Sequence, residues 1–575
     1  MADKSIHINE FEAHVEGMHH NFNAQFESRF KMLYSGHDMP VTVGTKREHK
    51  PKNRFANIVP YDSNRVKLVS YEDSGNDYVN ASPVDGYKKR KRFIAAQAPL
   101  KVSVVDFWSV IWEERVTTIV MLTNIKEGEK LKCFQYWPET VGGEVEFKPF
   151  KLSLLEENRY SEYLIRKFNI TKSGESFDVT QFHYVAWPDH GVPEYATGML
   201  SFYRRIRDFH STTKDPMLVH CSAGVGRTGT FIALDIVLRQ VKNENVVDIH
   251  NVINRLRHQR PQMVQSLEQY IFIHDAVLEF ITCGDTSIEA PNVMRAMAKL
   301  KSKDRMTGLT GYEQELKILN KVSPRAEDVV CPSANTFTNK NRPGHSLPVE
   351  RCRVPLKQSY INASYADGYK QSRAYIIAQS PMANTIRDFW KMISDKQSAT
   401  VIMLCELLEN DEEVCACYWP RTGVNTFDDM DVELTGGNSA KHFTTRTMKI
   451  TDNKTKKSHQ VTQFQYHGWI AHKPPSNSTG LISMLEEVQK VQRSTANKPI
   501  VVHCSNGLGR SSTFCAIYTT LERFKAEQCV DIFQVVKSLR INRPGAVDSL
   551  GMYQFIFEVV LRYMQSFETY SNFSV

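Results

Sequence analysis

The chain is 575 residues long, carries a net charge of +8, and is 41% hydrophobic and 24% charged. That length exceeds one ordinary core, since single domains rarely pass about 250 residues, and the balance of apolar and charged residues excludes a disordered or fibrous chain. So modest a charge surplus gives no sign of nucleic acid as a partner, no apolar run approaches the ~20 residues of a membrane helix, and the opening MADKSIHINEFEAH lacks the apolar stretch of a signal peptide.

The 11 cysteines are odd in number and include no C-x₂-C pair. With no secretory signal, reduced thiols in the cytosol are expected rather than a disulfide framework. Cys415 and Cys417 form C-x-C without a companion cluster, which gives no ground for a metal site.

In chain order, residues 1–30 carry Phe11, Val15, Met18, Phe22, Phe26 and Phe30 at helical spacing, an amphipathic packing or regulatory segment. The basic run Lys88-Lys89-Arg90-Lys91-Arg92 follows Gly86-Tyr87 and precedes Phe93-Ile94-Ala95-Ala96, which reads as a hairpin turn leading into a strand. Thr117–Leu122 and Met217–His220 are apolar and β-branched enough for buried strands. They alternate with helical patterns over 198–209 and 229–242, so the class is α/β. Helical spacing ends near Phe280, Gly284 is a stop signal, and Pro291 opens a fresh helical stretch.

The pattern then repeats. Asp106-Phe107-Trp108 recurs as Asp388-Phe389-Trp390, Tyr136-Trp137-Pro138 as Tyr418-Trp419-Pro420, Val179-Thr180-Gln181-Phe182 as Val461-Thr462-Gln463-Phe464, and His220-Cys221-Ser222 as His503-Cys504-Ser505, at a near-constant offset of 282 or 283 residues. Solenoid repeats are far shorter, about 20–50 residues, so the chain is a duplication of a whole domain. The expected organisation is a helical segment over 1–30, a first domain over 31–284, a junction over 285–312 and a second domain over 313–570.

The chemistry concentrates after the strand Met217–His220. His220-Cys221-Ser222-Ala223-Gly224-Val225-Gly226-Arg227-Thr228-Gly229 joins that strand to a helix. The first N–H groups of a helix lack partners and lie at its positive end, a ready-made anion site. Gly224 and Gly226 allow the loop to curl so that N–H groups of Ser222, Ala223, Val225 and their neighbours point inward as a nest. Cys221 stands at its floor, where the field that attracts a phosphate dianion also favours thiolate over thiol. Arg227 offers a planar fork for two phosphoryl oxygens, and the Thr228 hydroxyl can donate to the sulfur.

His220 to Thr228 resembles the H-C-x₅-R-[ST] signature of the protein tyrosine phosphatases, and the duplicated layout resembles the cytoplasmic region of receptor-type members with tandem domains. The resemblance covers the chain from about residue 30. It implies two tandem domains of one α/β fold, each a twisted mixed sheet flanked by helices. It also implies hydrolysis of phosphotyrosine through a cysteinyl-phosphate intermediate, without metal or organic cofactor.

On the same resemblance, Asp189 in Trp187-Pro188-Asp189-His190-Gly191-Val192-Pro193 is the general acid, then the base, on a mobile lid. Gln265 in Met263-Val264-Gln265-Ser266 positions the hydrolytic water, with Gln269 a second candidate. Lys52-Asn53-Arg54-Phe55-Ala56-Asn57 matches the substrate-recognition loop. Phe55 replaces the usual tyrosine and stacks on the substrate ring, setting a depth that phosphoserine cannot span. Asn57 stands where the family contacts substrate backbone, Lys132 resembles a lysine that pairs with the lid aspartate, and Glu127 falls where an acidic residue orients Arg227.

The second cradle, His503-Cys504-Ser505-Asn506-Gly507-Leu508-Gly509-Arg510-Ser511, is complete, but Ala471 replaces the acid and Asp548 replaces Gln265. Lys340-Asn341-Arg342-Pro343-Gly344-His345 puts Pro343 where Phe55 stands, and Val414 replaces Lys132. Catalysis is therefore expected from Cys221. The second copy, with Cys504, Arg510 and Ser511, is expected to be regulatory, a scaffold, or a phosphate- or redox-sensing pocket. Two rivals remain for the whole chain: a phosphoprotein-trapping binding module, and a dual-specificity or lipid phosphatase. Phosphotyrosine proteins are the expected partners, contact between the two domains is possible in cis or trans, and membrane association would come only through a segment outside this chain, as in the intracellular part of a single-pass receptor.

Overall fold

A computed structural model describes residues 5–36, 38–69, 76–210, 215–343, 346–476, 478–495 and 498–572, with side chains through 566. The chain divides into two compact units, Met1–Gly284 and Asp285–Val575.

In the first unit the strands of the main sheet are β1 (Ala81–Gly86), β2 (Lys89–Ala96), β3 (Thr118–Met121), β4 (Glu144–Phe147), β5 (Phe150–Arg159), β6 (Tyr163–Lys172), β7 (Glu175–Tyr184) and β8 (Met217–His220). They form one mixed sheet in the order β1-β2-β8-β3-β7-β6-β5-β4. The inner strands β2, β8, β3 and β7 run parallel, and the flanking pairs are antiparallel. The longer helices are α1 (Ile8–Lys31), α2 (Val104–Glu113), α3 (Thr197–His210), α4 (Gly226–Glu244), α5 (Ile249–Gln259) and α6 (Leu267–Cys283).

A strand covered on both faces must be apolar on both, and β8 is: Met217 and Val219 join one core with residues of α1 and α3–α6, while Leu218 points into the other with Phe107, Trp108 and Ile111 of α2. The period-2 alternation of the pleat thus divides a single apolar run between two layers. Because the central strands are parallel, the carboxyl end of β8 opens into the loop that starts α4, the place where doubly covered sheets put their ligand sites.

Two details depart from the sequence reading. The hairpin tip between β1 and β2 is only Tyr87-Lys88, so Lys89 to Arg92 are strand residues rather than a turn, and Arg92 is buried. The periodicity over residues 1–30 also breaks. Helix α1 buries Phe11, Val15, Met18 and Phe26, the last beside Tyr270 and His274 of α6. Between them His20 to Asn23 leave helical geometry, with positive φ at Asn21, Phe22 and Asn23, and the kink turns Phe22 out into solvent.

The second unit repeats the plan with β9 (Ala363–Ala366), β10 (Tyr375–Gln379), β11 (Thr400–Met403), β12 (Val424–Phe427), β13 (Met430–Ser439), β14 (Phe443–Asp452), β15 (Ser458–Tyr466) and β16 (Ile500–Cys504), in the order β9-β10-β16-β11-β15-β14-β13-β12. Its helices include α7 (Val293–Lys301), α8 (Gly311–Val322), α9 (Ile386–Lys396), α10 (Thr479–Arg493), α11 (Gly509–Glu527), α12 (Ile532–Asn542) and α13 (Leu550–Asn572). Residues 285–301 belong to this unit: Ile288-Glu289 pairs with Cys529-Val530, and α7 packs on α8 and α13. Among the described residues no helix is long and apolar enough to cross a membrane.

Candidate active site

Cys221 leaves the end of β8 and is 4% exposed. The loop folds back over it so that the Gly224 N–H donates to its Sγ at 3.3 Å. Gly224 has φ +74, and a Cβ there would lie 2.2 Å from the Ala96 carbonyl oxygen, so both backbone and space require glycine. Helix α4 starts at Gly226 with no side-chain cap from Val225, which leaves its first N–H groups to the loop interior.

His220 is a strut. Its Nε2 shares a hydrogen bond with the Tyr136 hydroxyl at 2.9 Å, and its Nδ1 lies 3.2 Å from the Cys221 carbonyl oxygen. Burial holds the imidazole far below its usual range, at about 4, so the ring is neutral. Ser222 donates its hydroxyl to the Lys132 carbonyl at 3.2 Å, and its own carbonyl accepts from Ala98 N–H at 3.0 Å.

Arg227 is held from two sides. Nη1 binds Glu127 Oε1, Nη2 donates to Oε2 at 2.9 Å, and the same guanidinium reaches the carbonyls of Leu122 at 3.2 Å and Pro188 at 3.1 Å. Burial would push the Glu127 carboxyl up, but bonds from Arg227 and Thr123 and the charge of Lys132 outweigh it and leave it below the usual carboxylate range. Glu127 is thus an anion fixed behind the cradle arginine.

The Pro188 carbonyl contact ties the segment carrying Asp189 to Arg227. Trp187 anchors that segment: its ring is buried beside Phe272 and its indole N–H donates to the Gly191 carbonyl at 3.1 Å. Asp189 itself is exposed, with a carboxylate oxygen 3.9 Å from where a Cβ on Gly128 would stand. Lys132, expected beside Asp189, instead lies 3.6 Å from Glu127 Oε2, because the buried carboxylate is the nearer and better-fixed anion.

Thr228, Gln265 and Gln269 take different places around the cradle. The Thr228 hydroxyl is buried and has no hydrogen-bond partner among the described residues, so it does not reach the sulfur here. Gln265 is exposed and its amide donates to Gln262 at 3.2 Å. Gln269 is the glutamine against the cradle: its amide would lie 2.9 Å from a Cβ on Gly226, and its Oε1 accepts the Gln265 N–H at 2.9 Å. The backbone at Gln262 and Val264, both at positive φ, sets this orientation.

Phe55 is 40% exposed on a loop whose neighbours are fixed. Arg54 donates to the carbonyls of Leu131 and Pro99 at 3.1 and 3.0 Å, and its N–H donates to Gln97 Oε1 at 2.9 Å. Gln97 also borders Gly224, so one residue braces both the aromatic loop and the cradle. Asn57 is exposed beside Phe55.

One residue escaped the sequence reading. Arg260, fully buried, donates from Nε to the Gly224 carbonyl at 2.8 Å and from Nη2 to Asn80 Oδ1 at 2.8 Å and the Ala223 carbonyl at 3.3 Å. By holding those carbonyls outward it turns the opposite N–H groups inward. Burial lowers its guanidinium to about 10 against the raising effects of Tyr78 and Cys221, so it remains a cation. The repeat was the available signal, because Arg543 stands at the same offset and is equally buried.

The second cradle has the same outline with a different interior. Asn506 Oδ1 accepts the Leu508 N–H at 2.9 Å and lies 3.4 Å from Cys504 Sγ. Arg510 donates to Glu409 at 2.6 and 3.2 Å, to the Trp469 carbonyl at 2.7 Å and to Ser505 Oγ at 3.0 Å. Asp548 pairs with His472 at 3.1 Å and lies against Gly509, where a Cβ would stand 2.7 Å from its carboxylate. Ser511 Oγ is buried without a partner among the described residues. Gly344 and His345 of the replaced aromatic loop lie outside the described residues.

Residues 49–279 and 337–562 match the protein-tyrosine phosphatase family. Receptor-type tyrosine-protein phosphatase alpha of Homo sapiens is 41% identical over 545 residues, which cover 92% of this chain and 68% of that protein. Receptor-type tyrosine-protein phosphatase S of Gallus gallus is 38% identical over 580 residues, 99% of this chain and 38% of that protein. Receptor-type tyrosine-protein phosphatase F of Homo sapiens is 37% identical over 584 residues, 99% of this chain and 30% of that protein. The chain thus spans two thirds of the first relative's length but only about a third of the other two. Both units carry the strand–cradle–helix junction, and the matched stretches fill most of each: the chain belongs to the protein-tyrosine phosphatase family.

Proposed function

We propose that the first unit hydrolyses phosphotyrosine in proteins through a cysteinyl-phosphate intermediate, and that the second unit regulates or supports it without catalysis of its own. The observation that carries the first half is the Gly224 N–H donating to Cys221 Sγ inside a loop that leads into an uncapped helix start. An anion is what such a loop stabilises, whether sulfur or phosphoryl oxygen.

Cys221 sulfur attacks phosphorus in line with the tyrosyl oxygen. The S–P bond forms as the P–O bond breaks, and Asp189 gives its proton to the leaving phenolate. Arg227 and the loop N–H groups bind the equatorial oxygens, and Glu127 keeps the guanidinium from swinging away. Water then attacks the thiophosphoryl group, Asp189 takes its proton, and the thiolate leaves with inorganic phosphate. Gln269, which borders the cradle, or Gln265 after a side-chain rotation, orients that water. Thr228, whose hydroxyl has no other partner among the described residues, would donate to the departing sulfur. Phe55 on its braced loop forms the wall that fits a phosphotyrosine ring, which favours this reading over a lipid or dual-specificity phosphatase.

For the second unit the supporting observation is an internally occupied cradle: Asn506 takes a loop N–H, Ser505 takes an Arg510 N–H, and Asp548 puts a carboxylate beside the helix start. An incoming phosphate dianion meets spent donors and a like charge. A scaffold or regulatory contact in cis or trans fits this better than a phosphate-sensing pocket. The receptor-type relatives support reading the chain as the cytoplasmic part of a plasma-membrane receptor.

The test is turnover of a phosphotyrosyl peptide by the full chain carrying Cys221→Ser or Cys504→Ser. The first should abolish phosphate release and the second leave it largely intact. Retained turnover in Cys221→Ser would overturn the assignment.

A further inference from the structure

Behind the second cradle, donors of one chemical character converge. Cys405 follows the carboxyl end of β11, Cys415 lies just after the hairpin formed by Leu408-Glu409 and Glu412-Glu413, and His503 sits near the end of β16. Their ligand atoms lie within 4.8 Å of one another, and the three residues are 2%, 1% and 0% exposed. The backbone fixes them: Leu404 N–H donates to the His503 carbonyl at 3.0 Å, and Val414 and Cys415 N–H groups donate to the Leu407 carbonyl at 3.0 and 3.3 Å.

The imidazole gives a second, independent observation. His503 Nε2 shares a hydrogen bond with the Tyr418 hydroxyl at 2.8 Å, whereas Nδ1 is buried and has no partner among the described residues. In the first unit the equivalent His220 has both nitrogens engaged, and Thr123 stands where Cys405 does. The two-thiol, one-imidazole set is thus peculiar to the second unit.

Charge decides what such a site could hold. A divalent ion bound by two thiolates and a neutral imidazole is a neutral cluster, which a dry interior tolerates where an unpaired ion is costly. Thiolate and imidazole together select Zn²⁺ or Cu⁺ over hard cations. Zinc bonds of about 2.3 Å to sulfur and about 2.0–2.1 Å to nitrogen require the three ligand atoms to draw closer than the 4.8 Å that bounds their spacing. Without a metal, the contact with Cys415 and burial hold the Cys405 thiol well above its usual range, although the charge of Arg510 favours its thiolate. A cation that displaces the thiol protons would convert the cluster into a site.

We propose that Cys405, Cys415 and His503 form a Zn²⁺-binding site in the second unit. The ion would join the ends of β11 and β16 to the hairpin that carries Glu409, the carboxylate that holds Arg510. It would therefore staple the second cradle from behind. The inference stands apart from the catalytic reading, since none of its residues belongs to the first unit.

The full chain would be titrated with Zn²⁺ against a chromogenic chelator, and its metal content measured after desalting. One equivalent should be retained, with protons released on binding. Cys405→Thr, which installs the first unit's residue, and Cys415→Ser should each lose that equivalent, with a melting curve in metal-free buffer checking that the variants fold. Cys417→Ser, Cys221→Ser and Cys504→Ser should each keep it. Tyr418→Phe removes the hydroxyl that orients His503 and should weaken binding about 10–100-fold. Failure to retain zinc would overturn the proposal, as would an equivalent that survives both Cys405→Thr and Cys415→Ser, or a Cys405–Cys415 disulfide in a chain that takes up no zinc.

Discussion

The Arg260 guanidinium donates from Nε to the Gly224 carbonyl at 2.8 Å, from outside the loop whose inside faces Cys221. A peptide plane held by its carbonyl has its N–H fixed on the opposite side, so Arg260 orients the N–H groups of the loop through the backbone. Arg260→Met should leave the buried carbonyls of Ala223 and Gly224 short of a donor, at about 1–3 kcal/mol each, and loosen the nest. The expected outcome is a lower melting temperature for the first unit and weakened vanadate inhibition. An unchanged vanadate affinity in a folded variant would show that Arg260 only fills space.

Asp189→Ala should lower turnover of a phosphotyrosyl peptide by about 10²–10⁴-fold. The deficit should shrink for aryl phosphates whose phenols are more acidic, because those leave without a proton. A deficit independent of leaving group would mean that Asp189 serves the lid's position instead.

The occupied second cradle makes a contrasting prediction. Ala471→Asp alone should not confer activity on Cys504, because Asn506 still holds the Leu508 N–H and Asp548 still opposes phosphate. Adding Asn506→Ala and Asp548→Gln should restore vanadate binding to a chain whose Cys221 is changed to serine. Activity from Ala471→Asp alone would contradict the internal occupation of the cradle.

These cases show where the sequence was legible. Cys221, Arg227 and the duplication lie in contiguous motifs that recur at near-constant offsets, so the repeat makes them visible, and β8 shows in its unbroken apolar run. Arg260 was hidden because its role is to bind carbonyls, which leave no mark in a motif. Asn506 is one ordinary residue whose side chain happens to reach a loop N–H. The Lys132–Glu127 pair depends on which of two anions is buried, and Phe22 on a backbone kink that periodicity cannot register. Cys405 and Cys415 come together only when a hairpin and two strand ends meet.

A pH effect follows from Glu522 in α11. Burial pushes its carboxyl up to about 7, against the lowering effects of Lys370 and the Tyr369 N–H. The unfolded group titrates near about 4.3, so between that value and 7 the folded state holds a proton the unfolded state has released. Stability therefore falls as pH rises through this window and levels off above it. Glu522→Gln should raise the melting temperature of the second unit most above pH 7 and least below pH 4.5. A pH-independent difference would remove Glu522 from the account.

Phe55→Tyr should preserve peptide turnover, and Phe55→Ala should raise KM for phosphotyrosyl peptides while narrowing the preference over phosphothreonyl ones. The ratio of kcat/KM for the two peptides is the measurement, and an unchanged ratio in Phe55→Ala would dismiss the aromatic wall.

The most direct test of the central claim is to trap the covalent intermediate. The chain mixed with a phosphotyrosyl substrate and quenched in acid within milliseconds, then digested and weighed by mass spectrometry, should carry phosphate on the peptide containing Cys221 and none on that containing Cys504. Phosphate on Cys504, or an enzyme that turns over without labelling Cys221, would contradict it.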